Sequence, residues 1–384
     1  MAHTNNLPGL YLHIPYCDTK CAYCDFYSIT QQDTRPAFVP ALCREIRSYG
    51  KPPYNLQPFD TIYLGGGTPS LLEIDELREI FDTLTRTFSI TQNHEITLEA
   101  NPGTLTLQKL KALRLMGVNR LSMGVQSFND DDLRSLGRIH TARQALESFY
   151  NAREAGFDNI SLDLIFALPG QTLKGWRANL ETVLRLEPEH ISAYSLIFEP
   201  GTLFTRWRDE GKLRQAPQEL EQRLYGETIR ALTDGGYTMY EVSNFARNDR
   251  LISRHNSKYW NHTPWLGFGP SAHSYWPEER WSNARSARTY IQRIQKGESP
   301  VTFHEKLDRP TRMFETIMLG LRTRTGIDME KFARDYHIPF QEQFGETCRM
   351  LTDNGYAKEE DACFRLTQKG MMICDEIITR FTIA

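Results

Sequence analysis

The sequence predicts an α/β protein, namely a partial (β/α)6 barrel of the TIM type followed by a smaller C-terminal helical domain with a winged-helix-like end. Three observations predict it: β-rich runs alternate six times with helical patterns, polar residues and glycines follow the predicted strands, and the last part of the chain is mainly helical. Since six parallel units cannot close an eight-stranded barrel, we expect a barrel that is open on one side.

The six predicted strands are short and rich in β-branched and aliphatic residues. The segments between them have a helical period, as at Leu77, Ile80, Phe81 and Leu84, which share one apolar face. In chain order the strands are expected at 10–14, 61–65, 95–100, 120–125, 159–165 and 190–197.

The second half of the chain has a looser pattern. A helix is expected over 218–235, a strand over 237–242 and an irregular, aromatic-rich stretch up to 281. The end of the chain, with a helix at 340–354, a hairpin near 356–366 and a helix at 368–381, is similar to a winged helix. It is not notably basic, so a packing or docking module is predicted rather than a DNA-binding one.

Three domains are therefore predicted. They are the partial barrel (1–200), an extension of the barrel (201–307) that carries a candidate haem-binding segment, and the C-terminal helical domain (308–384).

Composition and charge limit the classes of function. Hydrophobic residues make up 40% and charged residues 24% of the 384, as in a soluble globular protein. The net charge of −3 gives no electrostatic basis for binding nucleic acid. No run approaches the roughly 18 apolar residues of a spanning helix, and the polar start of the chain lacks the layout of a signal peptide. We expect a cytoplasmic protein.

The seven cysteines indicate a reducing compartment rather than a disulfide framework, because their number is odd and three of them share one loop. The other four fall in periodic segments and are expected to be small buried side chains: Cys43, Cys348, Cys363 and Cys374.

The three clustered cysteines, Cys17, Cys21 and Cys24, follow the first strand. This spacing supplies three thiolates to a four-iron cluster and leaves one iron without a protein ligand. A structural zinc site is the alternative, although zinc normally takes four protein ligands. His13 is a poor fourth ligand, since Pro15 and the strand direction lie between it and the loop.

The residues around this loop resemble the radical S-adenosylmethionine superfamily. Within it, the chain resembles the family of oxygen-independent coproporphyrinogen III oxidases and, more closely, its HemW-type haem chaperone branch, over nearly the whole length. Besides the cysteines, the residues that carry the resemblance are Tyr11, His13, Ile14, Pro15, Asp25 and Phe26.

The resemblance implies a 4Fe–4S cluster on the three cysteines and S-adenosylmethionine chelated to the open iron, with the protein supplying position and electrostatics. Glu99 would contact the amino group and Arg138 the carboxylate. A surface salt bridge is the alternative for Arg138, and a buried helix cap is the alternative for Asp163. The residues that would line one or two cofactor sites are Tyr11, Tyr23, Gly66, Gly67, Thr68, Glu99, Gln126, Arg138 and Asp163.

Position in the predicted fold supports this set, because most of these residues follow the carboxyl ends of predicted strands, where barrels bind ligands. The glycine run Gly65, Gly66 and Gly67 follows the second strand and would let the backbone approach a ligand. A tight strand-to-helix turn explains the run equally well, whereas a phosphate-binding loop does not, since no Gly-Lys-Ser/Thr follows.

A second candidate site begins at His255, in the string His-Asn-Ser-Lys-Tyr-Trp. Haem iron is commonly held by a histidine, and aromatic walls suit the macrocycle. The string is similar to the one associated with haem binding in the HemW branch, whereas a lone histidine is usually structural. His273 is a competing candidate for the same role.

Two functions of different classes follow from the resemblance. One is a haem chaperone that delivers haem to respiratory proteins, and the other is a coproporphyrinogen oxidase. Phe26, where oxidases of the family carry a further cysteine, the short segment before Cys17 and the His255 string favour the chaperone. That reading implies an electron donor as a partner. Three further properties stay open: whether the protein cleaves S-adenosylmethionine, whether it forms a homodimer, and whether it contacts the inner face of the membrane peripherally.

Overall fold

A computed structural model describes residues 7–382. Its strands are β1 Gly9–Ile14, β2 Phe59–Gly66, β3 Ile90–Ala100, β4 Arg120–Gln126, β5 Ile160–Phe166, β6 His190–Ser195, β7 Thr238–Glu241, β8 Asn244–Ala246, β9 Trp265–Phe268, β10 His273–Trp276, β11 Glu279–Asn283, β12 Val301–Lys306, β13 Ile327–Asp328, β14 Ala357–Glu360 and β15 Cys363–Leu366.

The α-helices alternate with these strands in the first half and dominate the end of the chain. They are α1 Arg35–Ser48, α2 Ile74–Thr87, α3 Leu107–Leu115, α4 Asp130–Ser135, α5 Ala142–Glu154, α6 Leu173–Leu186, α7 Leu203–Asp209, α8 Gln218–Asp234, α9 Arg254–Trp260, α10 Ala287–Gln295, α11 Arg309–Gly320, α12 Met329–Tyr336, α13 Phe340–Asp353, α14 Gln368–Met371 and α15 Cys374–Ile378.

The strands β1 to β6 are parallel and lie side by side in chain order, which confirms the predicted α/β class and partial barrel. Each predicted strand is present. The largest difference at the ends is in β3, which begins five residues earlier than predicted; β2 begins two residues earlier and β6 ends two residues earlier. Within residues 7–382, β1 and β6 are not paired with each other, so the sheet stays open.

Both edges of the six-stranded sheet are extended. Strand β9 joins β1 in parallel and continues into the antiparallel β10, β11 and β12, while β8 and β7 continue from β6. The prediction of an irregular stretch up to residue 281 was wrong here. The strands within this stretch, β8 to β11, are only three to five residues long, too short for a strong local pattern, so their order comes from pairing with the sheet.

The C-terminal segment has its own apolar core, formed by residues from Met313 to Phe381. Its three-stranded sheet in the order β13–β15–β14 packs with α12 and α13, as expected for a winged-helix-like unit. The predicted single helix over 368–381 was wrong, because it is two short helices, α14 and α15. Gly370 packs so closely on the Tyr356 carbonyl that a side chain there would clash, and Ile373 leaves the helical conformation. The predicted three-domain division stays a prediction.

No helix among residues 7–382 combines the length and the apolar character that crossing a membrane requires.

The buried carboxylate of Glu45 joins the β-extension to the barrel. From α1 it accepts hydrogen bonds from the Tyr290 hydroxyl (2.5 Å), the Asn283 side chain (2.6 Å) and the Gly269 amide (2.9 Å). Burial raises its pKa from 4.5 to about 7, despite these donors. One ionisable side chain therefore holds together elements more than 200 residues apart in the sequence.

We expect Glu45 to make the stability pH-dependent. Its pKa is higher in the folded state, so between pH 4.5 and about 7 the folded chain holds a proton that the unfolded chain releases. The free energy of unfolding should therefore fall by up to roughly 3 kcal/mol as pH rises through this window. Urea unfolding from pH 5 to 8 tests this, because Glu45→Gln should flatten the slope and the exposed control Glu79→Gln should not. An unchanged slope in Glu45→Gln would contradict it.

Candidate functional site

The cysteine loop leaves β1 at the carboxyl end of the sheet and is fixed at its base. The amide of Cys17 donates to the Ile29 carbonyl (3.0 Å), the Ile29 amide donates to Pro15 (2.8 Å), and Tyr16 pairs with Ile29 as an isolated bridge. Because the two ends of the loop are tied together, Cys17, Cys21 and Cys24 are presented from one compact segment. All three thiols are free and half-buried.

Two of these sulfurs accept hydrogen bonds from side chains outside the loop. The Thr68 hydroxyl donates to Cys17 Sγ (3.4 Å), and Arg138 Nη1 donates to Cys21 Sγ (3.5 Å). Burial raises the pKa of Cys17, and it raises that of Cys24 to about 11. The thiols of Cys17 and Cys24 are therefore protonated near neutral pH, and metal binding would release their protons.

The donor set fits a cluster better than a single metal ion. Within the described range, no three His, Cys, Asp or Glu side chains are placed to hold one metal ion. A tetrahedral zinc site needs such convergence, whereas a four-iron cube takes each thiolate on a different iron. Arg138 Nε, on the side chain that contacts Cys21, is buried and lacks a partner in residues 7–382, which leaves a donor for a bound group.

A side-chain network connects the cysteines with the third and fourth strands. Asn101 donates to the Thr68 hydroxyl (2.9 Å) and accepts from Arg138 Nη2 (2.6 Å), which also donates to the Gly124 carbonyl (2.8 Å). Arg138 has no carboxylate partner among the described residues, so the surface salt bridge alternative does not apply. Asn101 was not among the residues predicted from the sequence. Its position two residues after Glu99, at the end of β3, was the signal that could have identified it.

Gly124 and Gln126 shape the same part of the site from β4. A Cβ on Gly124 would lie 2.9 Å from the Gln126 amide nitrogen and 3.3 Å from Asn101 Oδ1, so glycine makes room for this network. Gln126 has a positive φ of 66°, and the pairing of β4 with β5 shifts register just before it. The irregular strand end thus places the Gln126 side chain beside Asn101 and Arg138.

Glu99 occupies the end of β3. It accepts hydrogen bonds from the Tyr63 hydroxyl (2.7 Å) and the Gly66 amide (3.1 Å), and burial raises its pKa to about 7. A cationic or N–H-bearing ligand would favour the ionised form, because an opposite charge or a donor stabilises a carboxylate.

The glycine run serves close packing rather than donation to a ligand. The amides of Gly67 and Thr68 donate to the Ile14 and Tyr16 carbonyls, and that of Gly66 is used by Glu99. A side chain on Gly66 would clash with the His13 ring at 2.6 Å, and Gly66 has a positive φ of 107°. The turn brings Thr68 against Cys17 and leaves no free amide over 66–68.

Asp163 lies deeper, in the middle of β5, so the helix cap alternative does not hold. Its carboxylate accepts from the Ser122 and Ser161 hydroxyls, and burial raises its pKa. Arg120, which is 1% exposed, counteracts this rise. Arg120, which carries a positive charge into the interior of the barrel, was not among the residues predicted from the sequence.

The two predicted tyrosines are placed differently. Tyr11 lies on β1 and its hydroxyl bonds His13 Nδ1 (3.1 Å). Tyr23 lies between Cys21 and Cys24, and its ring contacts Phe204 edge to face at 6.3 Å, in a small apolar cluster beside the loop.

His255 is not brought together with the cysteines. It lies on α9, which crosses the amino-terminal ends of β1, β2 and β3, and its ring is fully buried. Nδ1 is bonded to the Thr61 hydroxyl (2.8 Å) and Nε2 to the Tyr259 hydroxyl (3.0 Å), and its amide donates to Glu95 (3.0 Å). Both ring nitrogens are therefore already used, and burial keeps the pKa of this imidazole well below its usual value.

Comparisons with known proteins agree with this geometry. The Radical SAM superfamily model matches residues 11–183, and the HemN C-terminal domain model matches residues 307–373. The coproporphyrinogen III oxidase HemN from Escherichia coli has a similar structure, with a TM-score of 0.84 and 26% identity over 98% of this chain and 90% of that chain.

Relatives that match along nearly the whole chain identify the family within this superfamily. The chain is 37% identical to "Heme chaperone HemW" of Bacillus subtilis over 98% of this chain and 99% of that protein. It is 33% identical to "Radical S-adenosyl methionine domain-containing protein 1, mitochondrial" of Danio rerio over 96% of this chain and 86% of that protein. The chain thus belongs to the HemW-type haem chaperone family of the radical S-adenosylmethionine superfamily.

Proposed function

We propose that this chain is a haem chaperone that carries a 4Fe–4S cluster with S-adenosylmethionine and transfers haem to respiratory proteins. The main support for the proposal is the similarity to the Bacillus subtilis haem chaperone, which covers nearly the full length of both chains. The cysteine loop and its polar network support the cluster half of the proposal.

The residues at the carboxyl ends of the strands have distinct roles in this proposal. Cys17, Cys21 and Cys24 hold three irons. Glu99 accepts from the amino group of S-adenosylmethionine, and Arg138 Nε remains to donate to its carboxylate. When bound and reduced, the cluster supplies one electron to the sulfonium. Thr68 and Asn101 keep Arg138 and the sulfurs in place.

Coproporphyrinogen oxidation is the second candidate, and the full-length likeness to HemN favours it. Phe26 argues against it, because it occupies the position of the further cysteine in oxidases of the resembled family and is 70% exposed. The chaperone reading adds an electron donor as a partner. A cytoplasmic location, contact with the inner face of the membrane and a homodimer belong to the same proposal.

Titration with haemin and a direct oxidase assay separate these two functions. We expect the anaerobically reconstituted protein to bind about one haem per chain. With S-adenosylmethionine, a reductant for the cluster and an electron acceptor for the substrate electrons, it should leave coproporphyrinogen III unchanged. Accumulation of protoporphyrinogen would contradict the chaperone proposal, and so would a failure to bind haem. The Escherichia coli oxidase, run in parallel, controls for the assay.

A further inference from the structure

An open cavity of about 530 Å³ lies beside the cysteine loop. Its walls come from the loop itself, from β1, from α9 and from the β9–β12 extension. Five of its lining side chains are aromatic: Tyr11, Phe26, Tyr27, Tyr259 and Trp265. A volume within roughly 300–1,000 Å³, with aromatic walls and a few polar groups, is typical of a small-molecule site. No residue assigned above to the cluster lines this cavity, and of those assigned to S-adenosylmethionine only Tyr11 does.

Two histidines line the cavity, and only one has a free ring. His13 is bonded through Nδ1 to the Tyr11 hydroxyl (3.1 Å) and through Nε2 to the Tyr27 carbonyl (2.8 Å). The His273 ring makes no hydrogen bond to residues 7–382, and the residue is exposed. Its backbone is nevertheless fixed, since its carbonyl accepts from Trp265 Nε1 (2.9 Å) and packs against Gly267.

His273 thus combines a rigid main chain with an accessible imidazole at the start of β10. Partial enclosure lowers its pKa, and Arg280 adds to this effect, so the ring is neutral near pH 7. The neutral imidazole is the form that coordinates a metal. Arg285 also lines the cavity, is exposed, and has no ion-pair partner in the described part of the chain. It is suited to an acidic substituent of a ligand.

His255 is connected to the same cavity only indirectly. Its Nε2 holds the hydroxyl of Tyr259, and Tyr259 is one of the aromatic walls and contacts Trp265 edge to face at 4.7 Å. Removing His255 would therefore disturb the wall of the cavity without removing a ligand from it.

On the basis of the proposed haem-binding function, we propose that this cavity is the haem site and that His273 supplies the axial ligand. The macrocycle lies between the aromatic walls, and a propionate faces Arg285. His255 is a positioning residue that acts through Tyr259. The haem is the cargo of the protein, and this site places it next to the cysteine loop.

Haemin titration of cluster-free protein tests the assignment, because the cluster would otherwise absorb in the Soret region. We expect His273→Ala to weaken haem binding about 100-fold and to abolish the histidine-ligated signature in electron paramagnetic resonance and resonance Raman spectra. Added imidazole should restore that signature, because the cavity is open. His255→Ala should retain the signature and weaken binding about tenfold, as for a residue that supports a ligand site. His304→Ala, an exposed histidine on β12, is the matched control.

The outcomes are distinct. If His273→Ala keeps the histidine signature and His255→Ala loses it, the ligand is His255, and the inference is wrong while the haem-binding function stands. If both variants keep the signature, neither His273 nor His255 is the ligand, and the inference fails in the same way. If wild-type protein binds no haem, the proposed function itself is overturned, and the inference falls with it.

Discussion

Cys24→Ala is expected to abolish the iron–sulfur cluster. After anaerobic reconstitution, iron and sulfide should fall from about four of each per chain to near zero, because two thiolates from one loop cannot hold the cube. Binding of S-adenosylmethionine should be lost as well, since the open iron is its anchor in the proposed site. Metal analysis, the visible spectrum and equilibrium binding of S-adenosylmethionine measure the three effects.

Cys363→Ser is the matched control for this experiment, because Cys363 is also half-buried but lies on β15 in the C-terminal segment. It should retain the full cluster. A Cys24→Ala chain that still binds four irons would show that Cys24 is not a ligand. A wild-type chain that takes up one zinc and no sulfide would contradict the cluster assignment as a whole.

Arg138→Met is expected to reduce affinity for S-adenosylmethionine about 10- to 100-fold while leaving the cluster in place. The substitution keeps much of the length of the side chain but removes a charge and the donors to Asn101 and Gly124. A hydrogen bond to a charged group contributes about 1.5–3 kcal/mol, which sets this range. Binding is measured by calorimetry on reconstituted protein, with iron content measured on the same sample.

Arg134→Met provides the comparison, since Arg134 is exposed on α4 and pairs with Asp131 on the same helix. It should bind S-adenosylmethionine like wild type. If Arg138→Met also binds normally, the network between Thr68, Asn101 and Arg138 serves stability alone. If it loses the cluster, the hydrogen bond to Cys21 matters more for assembly than for the cofactor.

The sequence predicts the parallel part of the fold well, because aliphatic residues recur at every second position of the strands and the helices between them have one apolar face. Ile62, Leu64, Leu98 and Leu121 are fully buried in this way. The antiparallel extension is not predictable by the same means. Its strand β9 is four residues long and depends on pairing with β1, a contact more than 250 residues away in the sequence.

The cysteine spacing predicts the loop from local sequence, whereas Thr68, Glu99 and Arg138 come from the family resemblance and stay predictions as cofactor contacts. Neither source shows how these side chains are connected. Asn101 was missed because its role comes from lying between two strand ends, which no local pattern reveals. The burial of His255 could not be predicted either. The string around it gives the residue types but not the hydrogen-bond partners of the two ring nitrogens.

The helix α9 closes the amino end of the barrel long after the strands that it covers have been made. Asp60 forms ion pairs with Arg254 and Lys258, and Glu95 accepts the first amides of the helix, across 159 to 198 residues of sequence. A ribosome-bound chain that has emerged only as far as β6 therefore carries two acidic groups without their partners, in positions that will become buried. During vectorial synthesis, the six-stranded unit stays incomplete until the segment from 254 to 260 leaves the exit tunnel.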